Sequence, residues 1–147
     1  MEGVALRWVS ADDPVMRHVD DLRYEVLFEP FGVERDDGWA DAVPGTHHVV
    51  AMAGERVVAY GCLLVSGREG QVRQVSVAED AQRKGIGSAL MLDLERHARS
   101  LGLTYLHLHA RVPAEGFYHS LGWSTRPGDP FPSGRTGLPH VYMEKLL

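Results

Sequence analysis

The sequence predicts a mixed α/β fold, one sheet with helices on both faces. Three observations carry that prediction. β-type apolar runs recur along the chain, two longer segments space their apolar residues for a helix, and glycine or proline separates one segment from the next. The resulting order is strand, helix, three strands, helix, strand, helix, strand. At 147 residues, with 44% apolar content, the chain reads as one domain able to bury a substantial core.

Leu6 to Val9 forms the first short strand of this reading. Asp13-Pro14 then opens a helix, with an acidic cap and a proline at the first position. Val15, Val19, Leu22 and Val26 follow on one apolar face, and Pro30 and Gly32 end it. Glu34 to Gly45 is polar and rich in aspartate, so it reads as loop or a short helix. His48 to Ala53 and Val57 to Val65 are strands joined by a hairpin at Gly54-Glu55. Gly67 to Gly70 turns the chain into a strand over Val72 to Val77. A helix from Ser88 to Ser100 carries Leu90, Leu94, Ala98 and Leu101 on one face, and Gly102 closes it. Thr104 to Ala110 is a strand with Leu106, Leu108 and Ala110 on one side and His107 and His109 on the other. Pro113 starts a short helix bearing Ala114, Phe117, Tyr118 and Leu121, stopped by Gly122. A segment rich in proline and glycine, Pro127 to Pro139, leads to a last strand over His140 to Leu147.

Composition excludes several functions. A formal charge of −5 argues against a broad nucleic-acid surface, because phosphate backbones demand a basic face. No apolar run approaches the roughly 20 residues needed to span a bilayer, and Met1-Glu2-Gly3-Val4 is not a basic-then-apolar signal segment. Cys62 is the single cysteine, so no internal disulfide forms, and its apolar surroundings suit a buried inert thiol. A cytoplasmic protein of one domain is expected.

The stretch that points to chemistry is Gln82-Arg83-Lys84-Gly85-Ile86-Gly87-Ser88, between a strand and a helix. Two glycines bare the backbone N–H groups of a helix start, and the basic residues add attraction, which suits a pyrophosphate. A Walker loop needs Gly-Lys-Ser/Thr, and Gly87 is followed by Ser88-Ala89. A dinucleotide loop needs a third glycine where Leu90 stands, and an acidic residue about 20 positions on, where the chain reads His107-Leu108-His109. Gln/Arg-x-x-Gly-x-Gly/Ala fits at every fixed place through Gln82, Gly85 and Gly87. The loop thus resembles the acyl-CoA loop of the GCN5-related N-acetyltransferases, the GNAT family. Ala114 to Trp123, with Phe117-Tyr118 and Leu121-Gly122, resembles that family's late helix. The likeness runs from about the first helix to the C-terminus.

A narrower resemblance is to the ElaA/YjcF-like branch. It rests on Leu22-Arg23-x-x-Val26 with Glu29, on Asp41 followed by Thr46-His47-His48, and on Gly128-x-x-Phe131 with Gly137-x-Pro139-His140-x-x-Met143. The chain departs from the branch at Pro30, where glutamine is usual, and in the order Leu27-Phe28.

The family resemblance implies a mostly antiparallel GNAT sheet and acetyl-CoA as co-substrate. It implies that Val75, Ser76 and Val77 splay from the neighbouring strand and pair through their backbone with the pantetheine arm. A backbone N–H there would also serve the oxyanion. Gln82, Arg83, Lys84, Gly85, Ile86, Gly87 and Ser88 would hold the pyrophosphate, and Tyr118 would act as general acid toward the CoA thiolate. The same four apolar and aromatic residues of that helix would equally serve as a core face. Some family members place a glutamate base where Gln71 stands, and glutamine cannot act as one. Glu29, His48, His109 and His140 are the remaining base candidates, each also readable as a structural residue. His107-x-His109 with His119 or His140 lacks the cysteine or carboxylate spacing of a metal site, so no metal is expected. The expected partner is an amine acceptor, small molecule or protein, with no nucleic acid or membrane. A homodimer and a non-catalytic acyl-CoA sensor or interaction module both stay open. Acceptor choice falls to Pro30–Pro44 and Pro127–Pro139, and the acidic first loop suits a cationic or amine acceptor, although it reads more readily as a solvated loop.

Overall fold

β1 (Val4–Val9) lies at one edge of an eight-stranded sheet whose order is β1-β2-β3-β4-β5-β8-β6, with β7 also paired to β8. The computed structural model describes residues 3–35 and 43–147. The middle of the Glu34 to Gly45 segment, with Asp41, therefore lies outside the described residues. β2 (Thr46–Ala53), β3 (Arg56–Ser66) and β4 (Glu69–Val77) continue from β1 as an antiparallel meander. β5 (Tyr105–Arg111) runs parallel to β4, and β8 (Leu138–Leu146) returns antiparallel to β5. β6 (Ser124–Thr125) and β7 (Phe131–Ser133) are short antiparallel additions to β8. The expected mixed, mostly antiparallel sheet with helices on both faces is what forms.

α1 (Met16–Leu27) and α2 (Ile86–Ser100) cover opposite faces. On the α2 face, Gly61 of β3 lets the helix approach: a Cβ there would lie 3.2 Å from Leu90 and 3.3 Å from Leu94. Both leucines are fully buried, and burial of one such side chain stabilises by about 1.5–3 kcal/mol. On the other face Met16, Val19 and Leu22 of α1 pack over β3 and β4, beside the fully buried Tyr60. The third helix, α3 (Glu115–Ser120), is one short segment after the 3-10 turn Val112–Ala114. Lys145 ties it down by donating to the Leu121 carbonyl at 2.6 Å while pairing with Glu95 of α2 at 2.7 Å.

Several boundaries differ from the sequence reading. β4 begins at Glu69, because the turn is only Gly67-Arg68. α1 begins at Met16, and Asp13 caps the preceding turn by accepting the Val15 N–H at 2.9 Å. α2 starts at Ile86, two residues early, since the left-handed Gly85 (φ +82°) already turns the chain into the helix, and it ends at Ser100, which leaves Leu101 at the cap and exposed rather than on the buried face. β6 and β7 fall where loop was expected, being too short to show an alternating pattern.

Candidate active site

The loop before α2 is built from strand, turn and helix start in close succession. Gln82 folds back so that its Nε2 donates to the Val77 carbonyl at 3.0 Å, fixing the loop to the end of β4. Arg83 (φ +63°) and Gly85 then take left-handed backbone, and residues 82–85 are exposed. A Cβ on Gly85 would meet nothing within 4 Å, so glycine supplies conformation there rather than room. At Gly87 the backbone is ordinary, and a Cβ would make van der Waals contact, 3.4 Å from the Phe117 ring and 3.5 Å from Val77. No side chain caps α2, so its first N–H groups stay available to an anion beside Arg83 and Lys84. The residues present fit a pyrophosphate.

The sheet opens next to this loop. β4 and β5 pair only over Glu69–Gln71 and Tyr105–His107, and beyond that point no ladder joins them. The backbone of Val75, Ser76 and Val77 thus faces a gap on its β5 side. A bulge marks the opening, with the β3–β4 register shifting between Tyr60 and Cys62 so that Gln74 and Val75 stand opposite Gly61. Gln74 adopts φ +61°, uncommon for a non-glycine residue, and its side chain accepts from Arg23 Nε at 2.9 Å. The Ser76 hydroxyl donates to the Gln74 carbonyl at 2.9 Å, so its side chain is spent within the strand. Nothing in the sequence signals this bulge.

Tyr118 lies on the α2 and α3 face of the sheet. It is 8% exposed, edge-on to Phe117 and Trp123, and its hydroxyl hydrogen-bonds to no described residue. Burial pushes its phenol up to about 12. The ring of Phe117, its neighbour, lies 3.4 Å from where a Cβ of Gly87 would sit, so the tyrosine helix stands close to the start of α2.

The base candidates separate. His109 and His140 share the α1 face: His140 pairs with Arg111 in the β5–β8 ladder, and His109 with Tyr142. His109 Nδ1 lies 3.1 Å from the Ser133 hydroxyl, and His140 Nδ1 donates to the Leu138 carbonyl at 2.6 Å. Partial burial, reinforced by His140, His107 and Arg73, holds His109 below the ordinary imidazole value. His48 is 2% exposed on β2, two strands from the gap, with Nδ1 2.7 Å from the Tyr60 hydroxyl. Glu29 is exposed at the start of the 3-10 turn Glu29–Phe31 after α1. Gln71 occupies the last paired position opposite His107. His119 instead bonds Thr125 at 2.8 Å. Among the described residues no three His, Cys, Asp or Glu side chains are disposed to hold a metal ion. Cys62 is buried, and burial raises its thiol.

Comparison with known proteins places this arrangement. Residues 14–123 match the profile of the Acetyltransferase (GNAT) family. The chain is 25% identical over 124 residues to the uncharacterized N-acetyltransferase YjcF of Bacillus subtilis, covering 84% of this chain and 87% of that one. A second Bacillus subtilis relative is 26% identical over 98 residues, and the aligned part spans 65% of its length. Among solved structures, Escherichia coli ElaA superposes with a TM-score of 0.82 at 19% identity, over 97% of this chain and 99% of that one. An aminoglycoside 6'-N-acetyltransferase complexed with coenzyme A gives a TM-score of 0.75 at 17% identity, over 97% and 96% of the two chains. The class defined by this fold and loop is that of the N-acetyltransferases. The chain belongs to the GNAT family.

Proposed function

We propose that residues 1–147 form a single acetyltransferase domain that moves the acetyl group of acetyl-CoA to an amine of a small molecule or protein. The observation that supports this reading best is the meeting of an uncapped, glycine-bent helix start with an opened sheet, Gln82 joining the two. The neighbour complexed with coenzyme A shares this fold.

Acetyl-CoA brings a thioester, whose carbonyl carbon the amine nitrogen attacks as the C–S bond breaks. The chain's residues handle position, charge and protons. Arg83, Lys84 and the backbone of Gly85, Ile86, Gly87 and Ser88 hold the pyrophosphate, and the open edge of Val75, Ser76 and Val77 pairs with the pantetheine arm. A backbone N–H in that stretch of β4 stabilises the oxyanion. Tyr118 donates a hydrogen bond to the departing thiolate. With its phenol up at about 12, full proton transfer to a thiolate whose thiol has a pKa of about 8.5 is strongly uphill, so donation without transfer is its role.

The amine must shed a proton. His109 is the best-placed acceptor, because it flanks the gap and is kept neutral near pH 7. His140 is the second choice, its Nδ1 already committed to Leu138, and Glu29 the third. Under this proposal the protein works in the cytoplasm without metal, nucleic acid or membrane; no described helix is long and apolar enough to cross one. A non-catalytic acyl-CoA sensor is the second reading, favoured only by the glutamine at position 71. Acetyl-CoA should raise the Tm and be consumed with acceptor-dependent thiol release. A Tm shift without turnover across a broad amine panel would select the sensor, and no shift would sink both readings.

A further inference from the structure

The mouth of the β4–β5 gap on the α1 face is cationic, although the whole chain carries −5. Arg73 on β4 and Arg111 on β5 flank it, two strands that separate beyond Gln71 and His107. Arg111 is half-buried, its guanidinium held 4.4 Å over the Phe31 ring, and its Nε is enclosed with no hydrogen-bond partner among the described residues. Neither Arg73 nor Arg111 forms an ion pair with any described carboxylate. Arg23, by contrast, is matched by Asp20 and Gln74, and Arg35 by Asp20 and Asp21. Of the groups that act on His109, which lies between the two arginines, Arg73 is a permanent cation and none is a carboxylate. Arg135 approaches from the β7–β8 turn, donating to the Glu34 carbonyl at 3.0 Å and lying 5.2 Å over the Phe28 ring.

A half-buried guanidinium held on a ring, with no described carboxylate as partner, favours a planar anion that can accept parallel N–H bonds from its terminal nitrogens. A polyamine would meet repulsion at this mouth. We propose that the amine acceptor carries a carboxylate, which Arg111 binds and Arg73 attracts, so that the amine is presented to the gap. The acidic segment read in the sequence as suiting a cationic acceptor lies largely at 36–42, outside the described residues, and takes no part in this proposal. This inference rests on the acetyltransferase reading and assigns its acceptor class.

The test compares amino acids with the amines left by their decarboxylation: phenylalanine with phenethylamine, lysine with cadaverine, and glutamate with γ-aminobutyrate as a pair that keeps one carboxylate. Thiol release at saturating acetyl-CoA should give a kcat/KM roughly tenfold or more higher for the amino acid of the first two pairs. Arg111→Met should raise KM for the amino acids by a similar factor, leave kcat within about threefold, and leave phenethylamine unchanged, with Arg111→Lys recovering part of the loss. Arg73→Met, an exposed change, should act in the same direction but less. Where no member of the panel turns over, the CoA-bound protein is titrated with N-acetylphenylalanine and with N-phenethylacetamide. Preference for the first, lost in Arg111→Met, supports the proposal. Equal binding, no binding of either, preference for cadaverine, or a loss in Arg111→Met that falls equally on both members overturns it. A protein whose Tm does not respond to acetyl-CoA would instead fail the underlying reading.

Discussion

Gly85 and Gly87 stand two residues apart in one motif, yet they answer to different constraints. Gly85 is strained for any side chain but faces open space, whereas Gly87 has ordinary backbone and a Cβ there would sit in van der Waals contact with Phe117 and Val77. Gly85→Ala should therefore cost about 1 kcal/mol of stability and only weaken cofactor binding. Gly85→Asp adds a carboxylate where the pyrophosphate is expected, and calorimetry should show CoA binding lost while the fold survives. Retained affinity would remove the loop from the site. Tyr118→Phe deletes one hydroxyl from a buried ring without leaving a void. It should lower kcat about tenfold to a hundredfold with CoA affinity unchanged. An unaltered rate would make Tyr118 a core residue alone, the role that its burial between Phe117 and Trp123 would equally explain.

At the scale of elements, the site depends on α2, α3 and β8 keeping their relative positions, and Lys145 joins all three. Glu95, its partner, is 3% exposed, and the Leu121 carbonyl accepts from the same ammonium. Lys145→Met would strand a buried carboxylate and should cost about 3–5 kcal/mol, read as a lower urea midpoint at constant m. A loss under about 1 kcal/mol would mean that water replaces the lysine. Elements whose cause is local were legible in the sequence: the loop from its glycines, α2 from the spacing of Leu90 and Leu94, α3 from Phe117-Tyr118 and Gly122. The bulge at Gln74 was not, because a register shift belongs to two strands and glutamine does not signal left-handed backbone. The separation of β4 from β5 was expected only through family resemblance. Arg73 and Arg111 were missed because an arginine in a strand carries no mark of whether a carboxylate will face it.

For the whole molecule, imidazoles set the acid side of stability. His97 on α2 stacks on Trp8 of β1 at 3.7 Å, and its Nε2 lies 3.1 Å from Nδ1 of His47 on β2. One ring must donate and the other accept, so protonating both removes the acceptor and sets two cations side by side. Burial, then His47 and Arg96, hold His97 below the ordinary imidazole value against the opposing pull of Asp93, and His107 and His109 are lowered by partial burial too. A histidine that is harder to protonate when folded leaves the unfolded chain binding more protons. Stability from these groups is complete above the unfolded value near 6.5 and is lost as pH falls through the lower folded values. On the alkaline side the sign reverses for Tyr118, whose raised phenol supports the fold below about pH 10 and ceases to do so above it. Urea midpoints should therefore be flat between about pH 7.5 and 8, decline above about pH 8.5 as the buried Cys62 thiol opposes ionisation, and fall from about pH 7 to 5.5, above the range where carboxylates titrate. His47→Leu removes the second ring and one lowering influence on His97, so it should flatten part of that acid slope while lowering the midpoint at pH 7.5. A midpoint that rises on acidification, or an acid slope unchanged in His47→Leu, would show that the His47–His97 contact does not link β2 and α2 to pH.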